Sequence, residues 1–299
     1  MRSLLNINTI QLAQLGLVFT TLAWGATFVL VKEGLKNAEP FTFGAYRFLI
    51  ATICTSILVR TKIFNIKKKE IYGGIVCGLF LCAGYAFQNF GLWENDLYLS
   101  TTPSKSAFIT SISIIMVPIL LFLFGIQKVS NKTWFSIIIA TIGLYILLNP
   151  TGEGISMGDI FTFGCAACFA IHIILQDIYV KKNINIIHFF FIQMLSVTVF
   201  SGICSLLFET KPTIWSQQLI TALLLTGIIA TTIAILIMVW AQQVLSPSQT
   251  ALIFSLEPVF AALFSWILLN EILGLWGWIG GLLIVLAIIW SESKPRKKS

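Results

Sequence analysis

Long stretches of the chain carry no charged side chain, and this constrains the fold more than any other feature. The longest lies between Lys211 and Glu257 and contains 45 residues. A helix needs about 20 apolar residues to cross a bilayer, and in hydrocarbon every backbone amide must find an internal partner. Only 10% of the 299 residues are charged, against roughly 25% in soluble domains. The sequence therefore predicts an all-α membrane protein.

The apolar stretches are numerous enough for ten transmembrane helices. The first is too long for the apolar region of a signal peptide and lacks a small-residue cleavage pattern. Most lysines and arginines fall in segments that are cytoplasmic if both termini are cytoplasmic, as the positive-inside rule requires. We therefore predict a multi-pass protein of the plasma membrane, the inner membrane of a bacterium. The predicted spans are 12–31, 41–60, 71–91, 103–125, 132–149, 158–179, 186–208, 217–241, 247–269 and 273–291.

The chain repeats one of its own segments. Residues 104–111, SKSAFITS, reappear as residues 248–255, SQTALIFS. A tryptophan follows each copy at the same distance, as Trp134 and Trp278. Both copies open a long apolar run, so the repeated segment begins spans four and nine, which are five spans apart.

The repeat extends to the other spans with nearly the same offset. Arg47 in span two, for example, aligns with Gln193 in span seven. Each half contains five predicted spans, an odd number, so the second half must enter the bilayer from the opposite face. We therefore predict two inverted five-helix repeats, residues 1–150 and 151–299, around a central cavity. This architecture is typical of secondary transporters.

Spans four and nine contain prolines inside their apolar runs, at Pro118 and Pro258. Proline removes a backbone hydrogen bond and kinks a helix, and the freed carbonyls must face protein or water. We therefore expect these two spans to border the cavity. Span four carries Ile114 at the position equivalent to Pro258, so we expect the two spans to bend differently.

Several motifs together resemble one known family. They are Trp24-Gly25 in span one, Tyr46-Arg47-Phe48 in span two, residues 106–111 in span four and residues 246–271 in span nine. They are similar to the EamA branch of the drug/metabolite transporter superfamily. The resemblance covers nearly the whole chain and is most specific in span nine. It implies ten helices in two inverted repeats, a cavity lined by helices one, three, four, six, eight and nine, peripheral helices five and ten, and export of amino acids or other small metabolites.

Charged side chains inside the predicted spans are expensive and mark candidate sites. Glu257 lies about ten residues into span nine, where a carboxylate stays ionised only beside a partner or water. It is a candidate for proton coupling or for binding a substrate amine, with a structural role beside Pro258 as the alternative. Lys105 could attract a substrate carboxylate, act at a gate, or snorkel to the lipid headgroups. Arg47 has no acidic neighbour in its span, so we expect a structural partner on another helix.

Uncharged polar and aromatic side chains recur at helical spacing on several spans. Spacings of three and four residues place side chains on one helix face, and a polar face cannot contact lipid. Helix packing is the alternative for the aromatic side chains, and an interfacial position is the alternative for Trp240. The predicted substrate-binding or cavity residues are Trp24, Phe28, Tyr85, Gln88, Asn89, Lys105, His172, Gln176, Trp240 and Glu257.

Two of these residues are candidates for proton coupling. His172 titrates near neutral pH when unperturbed, and Glu257 is the acid deepest in a predicted span. A single structural hydrogen bond is the alternative for His172. We predict no bound metal and no cofactor, and we interpret the six cysteines, all within spans, as packing residues.

The leading functional hypothesis is a secondary transporter of small organic solutes that works by alternating access. Amino acids rank first as substrates, ahead of nucleosides and cationic drugs, and export is favoured. A membrane-embedded enzyme is one alternative, although the chain has no His-Glu-x-x-His or Gly-x-Ser-x-Gly motif. A channel is another, although nothing resembles a selectivity filter. The expected partners are a small-molecule substrate and the lipid bilayer, not a nucleic acid. The oligomeric state stays open, a monomer included.

Overall fold

A computed structural model describes residues 8–60, 65–148, 155–269 and 274–292. Regular secondary structure in these ranges is helical, without strands, as the sequence predicted. The helices are α1 Thr9–Gly34, α2 Pro40–Val59, α3 Lys68–Leu92, α4 Pro103–Leu123, α5 Asn131–Leu148, α6 Met157–Val180, α7 Ile186–Phe208, α8 Gln217–Ala241, α9 in two segments, Pro247–Phe254 and Glu257–Leu269, and α10 Leu275–Glu292.

Seven helices in the described ranges are long and apolar enough to cross a membrane: α1 to α4 and α6 to α8. Their outer faces carry large exposed apolar side chains, such as Leu12, Ile57 and Leu206. A soluble protein rarely exposes so much apolar surface, whereas lipid tails cover it without cost. The prediction of ten crossings remains a prediction, because α5, α9 and α10 each adjoin a segment outside the described residues.

Several helices begin at polar caps that occupy matching places in the two halves. Asn8 caps α1 by accepting from the Gln11 amide, and Ser156 caps α6 by accepting from the Asp159 amide. Both caps are completed by a side chain that accepts from the cap amide, which satisfies a second orphan donor. Both α4 and α9 start with proline in the first turn, where no amide donor is needed.

Helices α4 and α9 are each interrupted at equivalent positions of the repeated segment. Ile112 breaks α4, and Ser255 and Leu256 break α9. At each break an amide bonds to the carbonyl three residues back, from Ile112 to Ile109 and from Leu256 to Ile253, both at 3.1 Å. Such bonds tighten the helix locally into a 3₁₀ turn.

The repeated serine, rather than proline, is common to the two breaks. The Ser111 hydroxyl donates to the Ala107 carbonyl at 2.9 Å, and the Ser255 hydroxyl donates to the Leu252 carbonyl at 2.6 Å. Hydroxyls that bond back to a helix carbonyl bend the helix. The expectation that the two spans bend differently rested on Pro258, whose counterpart in span four is Ile114, and it stays a prediction, whereas the breaks themselves fall at equivalent positions.

The helices pack in a scheme that treats the two halves alike. Helix α2 packs along α7, α5 along α10, α3 along α6, and α1 along α8. If each helix is replaced by its counterpart five places along the chain, the pair α2 with α7 and the pair α5 with α10 are unchanged. The pair α3 with α6 becomes the pair α8 with α1, which is also present. Helices α5 and α10 contact the rest of the bundle chiefly through α4 and α9, so they lie at the periphery. The remaining helices surround the centre, where the candidate site lies.

Candidate transport cavity

A cavity enclosing about 680 Å³ of space, part of it open to solvent, lies among α1, α2, α3, α4, α6, α8 and α9. Both halves of the chain contribute to its wall. Six of the ten predicted residues line it: Trp24, Phe28, Tyr85, Gln88, His172 and Glu257.

Aromatic rings form much of the cavity wall. Trp24 lies against Phe254 with ring centroids 4.9 Å apart, and the Trp24 indole donates to the Ala230 carbonyl at 2.7 Å. On the other side the rings of Tyr85 and Phe169 meet edge to face at 5.1 Å. Rings held by such contacts offer a rigid apolar surface to a bound solute.

A π-helical segment of α8, Leu225–Ile233, anchors the side chains of two cavity residues. It supplies the Ala230 carbonyl that holds Trp24, and the Thr231 hydroxyl that accepts from the Arg47 Nε at 2.7 Å. Segments of π-helix occur frequently at functional sites. The segment therefore connects α1 and α2, in the first half, to α8 in the second.

Arg47 of α2 lines the cavity, although helix two was not expected to reach it. Besides the bond to Thr231, its Nη2 donates to the Tyr85 hydroxyl at 3.3 Å, and its guanidinium carbon lies 4.3 Å from the Tyr85 ring centre. The side chain is 3% exposed. Both hydrogen-bond partners are uncharged, and within the described ranges Arg47 forms no ion pair.

Glu257 opens the second segment of α9 and lines the same cavity. Its side chain is 5% exposed and makes no ion pair with the described part of the chain. Gly25 allows α1 to approach here, because a Cβ at this position would lie 3.0 Å from the Glu257 carbonyl oxygen.

His172 contacts the cavity on one side and a buried amide network on the other. The Gln193 Nε2 lies 2.6 Å from the His172 Nε2 and 3.3 Å from the Gln176 Oε1. Gln176 in turn donates to the Gln242 Oε1 at 2.6 Å. With the amide in this orientation Gln193 donates to the ring nitrogen, so the imidazole is neutral with its proton on Nδ1.

Three other predicted residues lie outside the cavity lining. Gln176 belongs to the amide network behind His172. Asn89 is buried and donates from Nδ2 to the Pro40 carbonyl at 2.9 Å. Trp240 packs against the apolar core near the end of α8.

Lys105, the tenth predicted residue, is engaged by an acid near the start of α6. Its Nζ lies 2.7 Å from the Asp159 Oδ2, which also accepts from the Ser156 amide at 2.8 Å. The other oxygen of Asp159 accepts from the Thr101 hydroxyl at 2.7 Å. The ion pair joins α4 of the first half to α6 of the second. A gating role for Lys105 remains a prediction.

The sequence profile of one family, described as the EamA-like transporter family, matches the chain twice, over residues 11–149 and 156–292. The chain belongs to this family. This confirms the resemblance to the EamA branch of the drug/metabolite transporters. The protein is therefore a multi-pass membrane transporter, and a transporter is not a class of enzyme.

Relatives in two organisms are similar to this EamA protein over most of its length. An "Uncharacterized transporter" of Archaeoglobus fulgidus is 34% identical over 277 residues, which cover 93% of this chain and 84% of the relative. The "Uncharacterized transporter YoaV" of Bacillus subtilis is 23% identical over 280 residues, covering 92% and 94%. One solved crystal structure matches with a TM-score of 0.72 and 18% identity over 94% of this chain and 96% of the other, which shows a shared fold.

Sequence reasoning missed two features of the cavity in this EamA protein. The sequence gives no signal for Thr231, because the hydroxyl of a threonine in an apolar run usually donates to a carbonyl of its own helix. Arg47 was interpreted as a structural residue, because the family resemblance did not place helix two at the cavity. One feature of the sequence did indicate a role for Arg47. It is a charged residue with no acidic neighbour in its span, and such a residue needs a partner on another helix or on a ligand.

Proposed function

We propose that this EamA protein is a secondary transporter that exports small organic metabolites, amino acids first among them, by alternating access. The observation that carries the proposal is the central cavity, whose wall contains both aromatic rings and the carboxylate of Glu257, which forms no ion pair with the described residues. Rings can hold an apolar side chain, and a buried carboxylate gains a partner when an ammonium binds.

Two inverted repeats, residues 1–150 and 151–299, would form the moving halves. The pairing of helices is unchanged when each is exchanged for the one five places away, which supports an approximate two-fold relation. The equivalent breaks in α4 and α9 support it further. Five crossings per half would invert the second repeat and leave both termini in the cytoplasm of a plasma-membrane protein.

Glu257 and His172 would couple transport to protons. A proton and a substrate ammonium would compete for the Glu257 carboxylate, so that a proton enters as the solute leaves. The charged or titratable side chains around Glu257 are Arg47 of α2, Tyr85 of α3, and Cys165 and His172 of α6. None of these side chains carries a carboxyl group, so no second carboxylate of the described residues lines the cavity to take over the role of Glu257.

The decisive experiment measures uptake of a radiolabelled metabolite panel into proteoliposomes, with and without a pH gradient. Glu257→Gln should abolish the proton-driven component, while exchange down a solute gradient should persist with a weaker affinity for the amino acid. Glu94→Gln is the matched control, because Glu94 is an exposed acid outside the cavity. If uptake driven by the pH gradient persists at full rate in Glu257→Gln, the coupling role of Glu257 is refuted. Failure to transport any member of the panel, combined with hydrolytic turnover, would favour an embedded enzyme.

Labelling of single cysteines tests the inverted arrangement independently of transport. In a variant whose six native cysteines are replaced, positions 65 and 183 should react from the cytoplasmic side, and positions 96 and 211 from the outside. Finding positions 65 and 183 on opposite sides would contradict two inverted repeats.

A further inference from the structure

We propose that Arg47 is the specificity-determining residue that binds the anionic end of the transported solute, opposite an ammonium at Glu257. The inference rests on the proposed transport function and adds a residue and a binding polarity to it. A ligand would carry one negative and one positive group on an apolar body. Arg47 would take the first, Glu257 the second, and the aromatic rings the body.

The hydrogen bonding of Arg47 leaves room for a ligand. A guanidinium has five N–H donors, and the described contacts use one on Nε and one on Nη2. The remaining donors, including both on Nη1, suffice for a bidentate carboxylate. Thr231 and Tyr85 hold the group at the cavity wall but bring no negative charge. The positive charge is therefore 97% buried without a counter-ion among the described residues.

The second half of the chain supplies an internal comparison. Gln193 occupies the position equivalent to Arg47 and also reaches inward, bonding to His172 and Gln176. A neutral amide thus satisfies the need for a polar link from this helix to the bundle centre. An arginine at the matching position of α2 adds a charge that the packing does not require. A charge kept in a cavity against its desolvation cost points to a ligand.

Arg47 and Glu257 belong to one site, because both side chains line the same cavity. Tyr85, whose hydroxyl accepts from Arg47, lines that cavity as well. The two side chains form no ion pair with each other, so neither occupies the groups through which the other would bind a ligand. A solute with a single charge would satisfy one of them and leave the other unpaired. The site should therefore discriminate against analogues that lack either charge.

The test measures equilibrium binding to the full-length protein in lipid nanodiscs with two sets of matched probes. One set is phenylalanine, 2-phenylethylamine and 3-phenylpropanoate, and the other is leucine, 3-methylbutylamine and 4-methylpentanoate. The wild-type protein should bind an amino acid tighter than either singly charged analogue. Arg47→Gln, which copies the second half, should weaken the amino acid roughly 10- to 100-fold and leave the amine unchanged. Glu257→Gln should weaken the amino acid and leave the carboxylate analogue unchanged.

Two further variants distinguish a specific loss of ligand binding from a loss of folding. Arg47→Lys keeps the charge without the planar fork, so it should keep the preference for amino acids with weaker binding. Arg60→Gln, the same exchange at an exposed helix end, should bind like the wild type. Equal weakening of amine and amino acid by Arg47→Gln overturns the proposal, as does tighter wild-type binding of a singly charged probe or no binding of any probe. Transport of another solute by proteoliposomes would in that case leave the proposed function intact.

Discussion

The ion pair between Lys105 and Asp159 makes a quantitative prediction for Asp159→Asn. Asp159 is 5% exposed and accepts three hydrogen bonds, from Lys105, the Ser156 amide and the Thr101 hydroxyl. Asparagine can keep the bond to the hydroxyl through its single oxygen. Its amide nitrogen then faces two donors, so the ion pair and the capping-box bond from the Ser156 amide are lost, whereas the Ser156 hydroxyl still accepts from the backbone amide of residue 159.

The two losses differ in size. Loss of the capping-box bond from the Ser156 amide costs about 0.5–2 kcal/mol, in the range found for helix-cap substitutions. Lys105 has a side chain 34% exposed, so it can turn to water, and its ion pair is worth about 0.5–1 kcal/mol. The variant should therefore lose about 1–3 kcal/mol of unfolding free energy. At roughly 2–4 °C per kcal/mol, the unfolding midpoint should fall by about 2–12 °C.

Buried cysteines provide the assay. Cys77, Cys82 and Cys165 are free and buried, so a thiol-reactive dye reports unfolding on heating. Midpoints are compared at one scan rate, because membrane proteins often unfold irreversibly. Asp96→Asn is the matched control, since Asp96 is exposed. A shift within 1 °C of that control would refute the reasoning.

A double-mutant cycle separates the ion pair from the capping-box bond. Lys105→Met should lower the midpoint less than Asp159→Asn, because it leaves the bond from the Ser156 amide to Asp159 in place. The double variant should be less destabilised than the sum of the two single variants, by about 0.5–1 kcal/mol. Additive effects would show that Lys105 contributes nothing through Asp159.

Three further substitutions test the packing and the site. Gly25→Ala places a Cβ 2.9–3.0 Å from backbone atoms of α9 and should cost about 1–3 kcal/mol in the same thermal assay, whereas Gly202→Ala, with open space around it, should cost nothing. Thr231→Val removes the acceptor that orients the arginine of the cavity and should weaken amino-acid binding roughly 3- to 10-fold; equal weakening by Thr226→Val, whose hydroxyl bonds its own helix, would contradict this. Glu70→Gln replaces a carboxylate that accepts from two backbone amides and should cost about 1–3 kcal/mol, so an unchanged midpoint would contradict it.

The helical framework could be predicted because its causes are local. A charge-free apolar run must form a helix in a bilayer, wherever the run later packs. The predicted span 186–208 coincides with α7, and the predicted span 217–241 with α8. The repeated serine segment likewise predicted two corresponding helices, α4 and α9. The position of the breaks was missed, because proline was given more weight than the serine hydroxyls.

The candidate site could be predicted only in part. Glu257 was visible as an acid inside an apolar span. Tyr85 and Gln88 were visible as a polar stripe on one helix face. The partners of these residues were not visible, because helical periodicity gives the face of a residue but not the helix opposite. The π-helical segment of α8 left no clear mark in the sequence, since its residues are ordinary members of an apolar run.

The sequence alone determined that this chain spans a membrane as a repeated set of helices, because charge and hydrophobicity act on each segment by itself. Only the tertiary structure decided which polar groups meet. Arg47 finds Tyr85, 38 positions away, and Thr231, 184 positions away, across helix interfaces. These hydrogen bonds depend on how each helix is rotated about its axis and on where the π-helical segment of α8 lies. Both are set by the packing of all the helices together.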